Sequence, residues 1–205
     1  MGSIAEPVVL APIFPRTPAL FSLSNRTIAV TGGGRGLGIT LAAAVLESGG
    51  NVACIDILPV PSEPEWTGLL ALAASSKPPL GLSYHQCDIT VESAIRATLD
   101  TIASNGASVG AKLSGTIACA GIQQKVPAVD YPVDGFRRIM DVNVTGTFLT
   151  IKHSARIFMA ERTPGSVVMI ASMSGQVANR VCAREKLQTI DKDAEIEAGL
   201  NMYCL

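Results

Sequence analysis

The stretch TGGGRGLG, residues 31–38, has the composition of a loop that binds a phosphate group. Glycines permit a tight turn and a close approach of the backbone to a diphosphate, and the N-terminus of the following helix attracts negative charge. The ATP-type loop GxxxxGK[ST] is disfavoured because Ile39 occupies the lysine position. The pattern GxGxxG also fails, since a leucine stands where its third glycine belongs. The remaining pattern, TGxxxGxG, predicts a diphosphate site, with an ordinary glycine-rich turn as the alternative; its candidate residues are Thr31, Gly32, Arg35, Gly36, Leu37 and Gly38.

A carboxylate follows this loop at the distance that a dinucleotide site requires. Asp56 lies 18 residues after Gly38, close to the ~20 residues expected for an acid that receives a ribose 2'-hydroxyl. Its charge would repel a 2'-phosphate, so we expect NAD rather than NADP as the cofactor. Arg35 leaves NADP open, because its guanidinium could reach such a phosphate. A solvated carboxylate at a strand end is the alternative interpretation of Asp56.

The stretch SVVMIASMSG, residues 166–175, is a second candidate for chemistry. An apolar, β-branched run that ends in serines is typical of a buried strand that delivers a hydroxyl group at its carboxyl end. Such a hydroxyl could orient a reacting oxygen, but it requires a partner that moves the proton.

Apolar runs alternate with helix-like segments from Thr27 onward, and these elements must position the candidate residues. The runs predict strands at 27–31, 51–56, 82–88, 113–121 and from 166, and the segments predict helices at 37–48, 65–75, 91–104 and from a cap at Asp134 to about Ala160. Alternating strands and helices, with strands apolar on both faces, favour a parallel sheet covered on each side. We therefore expect an α/β fold of the Rossmann type, with a doubly wound parallel sheet.

The bulk composition limits the ligands and the compartment. The 205 residues are 48% hydrophobic and 16% charged with a formal net charge of -1, which favours one domain with a small-molecule ligand and no nucleic acid. Five cysteines and two histidines lack metal-like spacing, so we expect no metal site and a reducing, cytoplasmic compartment. No apolar run approaches the ~20 residues of a membrane span. Residues 1–22, with four prolines, are expected to form an extended arm.

From about Leu23 to Arg180 the sequence resembles the short-chain dehydrogenase/reductase family. The resemblance rests on five motifs in the family's order: TGGGRGLG, CDIT (87–90), ACAGI (118–122), DVNVTGTF (141–148) and SMSG (172–175). It implies that two further residue pairs contact the dinucleotide, namely Asp88 with Ile89 on the adenine side and Ala120 with Gly121. An Asx turn at a strand end is the alternative for the aspartate.

The resemblance implies an oxidoreductase that moves hydride between nicotinamide and a small alcohol or ketone. Within the family, the sequence resembles fungal-type polyol and ketose reductases. In such an enzyme Ser172 would hydrogen-bond the reacting oxygen and Asn143 would support a water, unless Asn143 merely bonds to a neighbouring carbonyl. A tyrosine, assisted by a lysine four residues later, would move the proton, because free tyrosine with a pKa near 10 is a poor base without a neighbouring cation.

The sequence does not contain this tyrosine and lysine pair. The residues four positions beyond Tyr84 and Tyr131 are an aspartate and a glycine, and Tyr203 is two residues from the last position. The family's tyrosine is expected around positions 184–186, which here hold Arg184, Glu185 and Lys186. We therefore expect weak activity or none.

The same departure sets the expected domain limits. We expect a Rossmann domain over residues 23–180, truncated after its fifth strand, and an atypical charged tail over residues 181–205. The fifth strand would then lie at an exposed edge of the sheet. A non-catalytic NAD(P)-binding protein or a truncated fragment is the alternative to an active oxidoreductase, and a homo-oligomer stays open.

Overall fold

The computed structural model describes residues 20–124, 126 and 128–172. Most of the predicted N-terminal arm and all of the predicted charged tail lie outside the described residues. The same holds for Ser174 and Gly175, which belong to the last of the five motifs.

Five parallel strands form one sheet in the order β3-β2-β1-β4-β5. The strands are β1 (Arg26–Thr31), β2 (Asn51–Asp56), β3 (Leu82–Gln86), β4 (Lys112–Ala118) and β5 (Ser166–Met169). The helices are α1 (Gly36–Glu47), α2 (Glu65–Ser75), α3 (Glu92–Ser108), α4 (Val133–Met140) and α5 (Thr147–Ala160). The chain crosses from β3 on one side of β1 to β4 on the other. Ligands of such sheets bind beyond the carboxyl ends of the strands at this reversal.

Two apolar clusters cover the two faces of the sheet. Ala29 of β1 and Ile55 of β2 pack with α3 and α5, whereas their neighbours Val30 and Cys54 pack with α1 and α2. Successive side chains of a strand point to opposite faces, so strands apolar on both faces need helices on both sides. The prediction of a doubly wound parallel sheet is confirmed.

The long helix predicted after the fourth strand is divided by a π-helical turn. The turn spans Asp141–Gly146 and joins α4 to α5. The prediction of Asp134 as the helix cap was wrong, because α4 is preceded by Pro132 and has no side-chain cap. Proline suits a helix start since it needs no partner for an N–H group. The Asp134 carboxylate instead accepts a hydrogen bond from Arg137 at 3.1 Å.

The helices owe their positions to amphipathic spacing. The longest described helix, α3, has 17 residues and buries Ile95, Leu99 and Ile102, which recur at the period of a helix. Among the described residues, none of the helices combines the length and the apolar character that crossing a bilayer requires.

Strand β5 lies at the edge of the described sheet. It pairs with β4 alone, and the side chains of Val168 and Met169 are 49% and 60% exposed. The expectation that the fifth strand is an exposed apolar edge therefore agrees with the described residues.

Candidate functional site

A cavity of about 360 Å³ lies beyond the carboxyl ends of β1 and β4, where the strand order reverses. It brings together every residue predicted to contact a dinucleotide except Thr31. The sequence analysis did not single out the remaining lining residues. These are Ile55, Ile57, Cys87, Cys119, Ile122, Arg138 and Val142.

The glycine loop forms the entrance to α1 and has little room for side chains. Gly32 and Gly36 have φ angles of +68° and +55°, the left-handed region that favours glycine. A Cβ atom at Gly38 would overlap the carbonyl oxygen of Gly32. Arg35 precedes α1 without a side-chain cap, and no acidic residue lies in the first turn. The first N–H groups of α1 therefore lie at the cavity without a side-chain cap and without an acidic residue in their own turn, so they are available to bind an anion.

Asp56 is buried at the end of β2 and is bound to the glycine loop. Its Oδ2 accepts a hydrogen bond from Gly34 N at 2.9 Å, and its Oδ1 accepts one from Leu58 N at 3.1 Å. A carboxylate offers about four acceptor positions, so Asp56 can still accept bonds from ribose hydroxyls. The two backbone bonds fix where those acceptors point.

Gly34 is a residue that the sequence analysis missed. A Cβ at this position would lie 2.9 Å from the Asp56 carboxyl carbon, so only glycine leaves space for the carboxylate. The three consecutive glycines were the only available signal, because the contact joins residues 22 positions apart.

Asp88 forms the Asx turn that the sequence left open as one interpretation, and its predicted contact with the dinucleotide stays a prediction. Its Oδ1 accepts hydrogen bonds from Thr90 N at 2.9 Å and from Thr90 Oγ1 at 2.7 Å, as in an Asx turn. The same residue lines the cavity together with Ile89. The turn therefore holds the aspartate at the outer end of the cavity, beyond β3.

Thr31 supports the site from within the fold. Its buried hydroxyl accepts hydrogen bonds from Cys119 N and Ala120 N, both at 3.2 Å. These bonds join the end of β1 to the segment after β4. The hydroxyl lies outside the cavity lining, so the geometry shows Thr31 positioning these segments, and its predicted contact with the cofactor stays a prediction.

Asn143 lies in the π-helical turn and holds the backbone that follows Gly121. Its Oδ1 accepts a hydrogen bond from Ile122 N at 2.9 Å, and its Nδ2 donates one to Ile122 O at 3.0 Å. The alternative interpretation, a bond to a nearby carbonyl, describes part of this contact. Asn143 thus fixes the wall of the cavity beside β4.

Ser172 is exposed and lies three residues beyond the end of β5. The segment before it stays beside β4 because Ile170 N donates a hydrogen bond to Ala118 O at 3.0 Å. Asn143 and Ser172 therefore lie on the same side of the carboxyl edge, near β4 and β5.

Of the two described tyrosines, Tyr84 does not have the environment of a catalytic base. Tyr84 donates a hydrogen bond to Leu58 O at 2.8 Å. Burial, with a smaller effect of the Asp56 charge, raises the pKa of its phenol to about 12. A base needs the opposite shift. Tyr131, the other one, precedes α4 and has no lysine four residues later.

The similarity to known proteins covers nearly the same residues as the predicted Rossmann domain. The short chain dehydrogenase family matches residues 26–183. A short chain dehydrogenases/reductase of Aspergillus versicolor, notP', is 42% identical over 161 residues, which are 78% of this chain and 53% of that protein. A 2,5-dichloro-2,5-cyclohexadiene-1,4-diol dehydrogenase of Sphingobium indicum is 36% identical over 156 residues, 76% of this chain and 57% of that protein.

A solved structure, NAD⁺-bound xylitol dehydrogenase, matches with a TM-score of 0.65 and 26% identity, over 77% of this chain and 56% of that one. The chain thus spans a little over half the length of the relatives it matches. The family match covers most of the residues of this chain, from β1 to beyond the end of β5. The chain belongs to the short chain dehydrogenase family.

Proposed function

We propose that this chain binds NAD in the cavity at the carboxyl edge, as the nucleotide-binding part of an oxidoreductase acting on a small alcohol or ketone. The observation that carries the proposal is the position of Asp56. Its carboxylate is fixed by two backbone bonds at the cavity that also receives the uncapped N-terminus of α1. An anion site and a ribose-binding acid in one crevice are the two parts that a dinucleotide requires.

The preferred cofactor is NAD rather than NADP. Two unit charges 4 Å apart interact by about 4 kcal/mol at an effective dielectric constant of 20, so a fixed Asp56 carboxylate disfavours a 2'-phosphate strongly. Arg35 is exposed at the mouth of the cavity and offsets part of this repulsion. Xylitol dehydrogenase, whose structure contains NAD⁺, is consistent with this preference.

The residues for chemistry are incomplete in the sequence. Bound NAD supplies the hydride acceptor. Ser172 would orient the reacting oxygen, and Asn143 would hold the adjacent backbone through Ile122. Neither Tyr84 nor Tyr131 has a lysine four residues later, and positions 184–186, where the family's tyrosine is expected, hold no tyrosine. Positioned acid–base catalysis contributes about 10²- to 10⁴-fold. Turnover by this chain is therefore lower than that of an enzyme with the pair by about this factor.

The absent pair favours a second candidate, a non-catalytic NAD-binding protein whose domain covers residues 23–180. Both candidates share the nucleotide site and differ in turnover alone. The substrates of the oxidoreductase candidate would be polyols or ketoses if the resemblance to xylitol dehydrogenase extends to the substrate.

Calorimetric titration with NAD and NADP, beside turnover assays with xylitol and a ketose, tests the proposal. We expect binding of NAD, at least about tenfold weaker binding of NADP, and little turnover. Tight NAD binding with no turnover selects the non-catalytic candidate. Rapid turnover would contradict the inactivity inferred from the missing pair, and absence of binding by either dinucleotide would overturn the proposed function.

A further inference from the structure

Arg138 places a positive charge at the cavity, separately from the glycine loop and from Asp56 and Asp88. It lies on α4, is exposed, and lines the cavity together with Val142. The two residues are four positions apart, so they occupy neighbouring turns on one face of the helical segment. This face is the one that α4 presents to the cavity.

The charge of Arg138 is not used by the fold. Its neighbour Arg137 donates to the Asp134 carboxylate at 3.1 Å, an ion pair within the helix. Within the part of the chain that the structure describes, Arg138 makes no such pair and no side-chain hydrogen bond. An arginine at a cavity that no carboxylate neutralises can interact with a ligand.

Arg138 lines the part of the molecule to which the end of β3 also contributes. Val142, on the same helical face, lines the cavity together with Cys87 and Ile89, the residues that follow β3. Gly146, at the other end of the π-helical turn, lies against Ile89, because a Cβ there would be 2.7 Å from the Ile89 Cδ1. The α4 face therefore continues the wall that begins beyond β3, next to the end of β2 where, in the proposed function, Asp56 would receive the ribose.

The surfaces around this position suit a flat, apolar ring. Ile89 and Val142 are aliphatic, and Asp88 has one carboxylate oxygen occupied by Thr90. A guanidinium group is planar and stacks on aromatic rings, which an ammonium group does less well. A purine lying against Val142 would lie beside Arg138, one turn of the helical segment away, within reach of a side chain long enough to fold over the exposed face of the ring.

We propose that the Arg138 guanidinium stacks on the adenine ring and closes the outer side of the nucleotide site. The inference rests on the proposed function, since it assigns a further residue to the same site. Arg138 is thus a residue that sets affinity for the adenosine half and takes no part in hydride transfer.

The test compares the full chain with Arg138→Met, Arg138→Lys and the control Arg137→Met, by titration with NADH at low and high salt. Stacking at a partly desolvated site predicts that Arg138→Met weakens NADH binding about five- to tenfold. Arg138→Lys should weaken it almost as much, because the lysine keeps the charge and loses the plane. Arg137→Met should stay within about twofold of the unsubstituted chain.

The outcomes separate this inference from the proposed function. The chain must bind NADH for either to hold, and absence of binding overturns both. Binding that Arg138→Met leaves unchanged overturns the inference alone. A loss that Arg138→Lys restores and that disappears at high salt would show attraction to the diphosphate rather than stacking, and would also overturn it. Equal free energies of unfolding for all variants confirm that the losses arise at the site.

Discussion

The β1–β3 side and the β4–β5 side of the carboxyl edge are built differently. On the first side, Asp56 is buried, accepts two backbone hydrogen bonds, and lies against Gly34 without space for another side chain. On the second side, Asn143 fixes Ile122 but Ser172 is exposed beyond an edge strand whose Val168 is 49% exposed.

In the function that we propose, this difference separates binding from chemistry. On the β1–β3 side, the Asp56 carboxylate and the glycine loop hold each other in place. On the β4–β5 side, the residues proposed for chemistry are the Asn143 amide and the Ser172 hydroxyl, and positions 184–186 hold no tyrosine. We infer that nucleotide binding depends on the local packing of the loop, and that turnover depends on groups beyond it.

The largest expected effect comes from filling the glycine loop. Gly38→Ala should lower the free energy of unfolding by about 3 kcal/mol, because its Cβ would overlap the Gly32 carbonyl oxygen and backbone cannot rotate away. The same change should abolish measurable NAD binding, because the loop must move away from the start of α1 to make room for the added Cβ atom. Urea unfolding and NAD titration measure the two effects.

Gly36→Ala is the matched control for the loop. A Cβ at Gly36 would have no heavy atom within 4 Å, so only the positive φ angle of +55° opposes it. That strain costs about 1 kcal/mol. A loss from Gly38→Ala no greater than that from Gly36→Ala would show that the close packing of the loop is not what stabilises it.

A smaller effect is expected when the Asp56 carboxylate is replaced by an amide, the group that Asn143 carries on the other side. Asp56→Asn removes one acceptor, which leaves Gly34 N or Leu58 N unpaired and lowers the free energy of unfolding by about 2 kcal/mol. NAD affinity should fall about tenfold through the weakened ribose contact. The preference for NAD over NADP should narrow, because the repelling charge is gone. Calorimetric affinities for both dinucleotides measure this.

The converse substitution on the catalytic side is Asn143→Asp. It replaces the donor to Ile122 O with a second acceptor and should also cost about 2 kcal/mol of stability. Its effect on NAD affinity should be smaller than that of Asp56→Asn, and the NAD to NADP ratio should not change. Equal losses of affinity from the two variants would mean that the two sides do not act separately.

The fold was readable from the sequence because its signals are local. Strand 51–56 and helix 65–75 were predicted with the observed bounds, since apolar periodicity and flanking glycines or prolines mark both. The break in the helix around Asn143 was not readable, because a π-helical turn is a shift of backbone hydrogen bonds without a fixed composition. The choice of Asp134 as a cap failed because a proline two positions earlier starts the helix.

The site was readable only in part. The glycine loop and Asp56 carry a known spacing along the chain, so the sequence could place them together. Arg138 could not be found in this way, since it lies far along the chain from the loop and reaches the cavity only through the packing of α4. Gly34 likewise gained its role from a carboxylate that folding brings against it.

The smallest expected effect concerns the thiol of Cys54, which lies against Gly33 of the loop. Burial, with a smaller effect of the Asp56 charge, raises the pKa of Cys54 from 9.0 to about 12. The unfolded chain therefore loses this proton before the folded chain does. The stabilisation is complete below pH 9.0 and is lost as the pH rises toward about 12. We expect the free energy of unfolding to fall by about 1.4 kcal/mol per pH unit from this group.

Cys54→Ala isolates the contribution of this thiol. The variant should be less stable than the unsubstituted chain at neutral pH, because it leaves a cavity against Gly33, but its stability should fall less steeply above pH 9.0. Cys119→Ala is the control. Burial also raises the pKa of the Cys119 thiol, but Cys119 is only partly buried at the β4 end, so its variant should change the slope less than Cys54→Ala does. Urea unfolding over the alkaline range gives the slopes. An equal reduction of the pH dependence in both variants would show that tight packing is not confined to the β1–β3 side. The contrast drawn between the two sides would then be wrong.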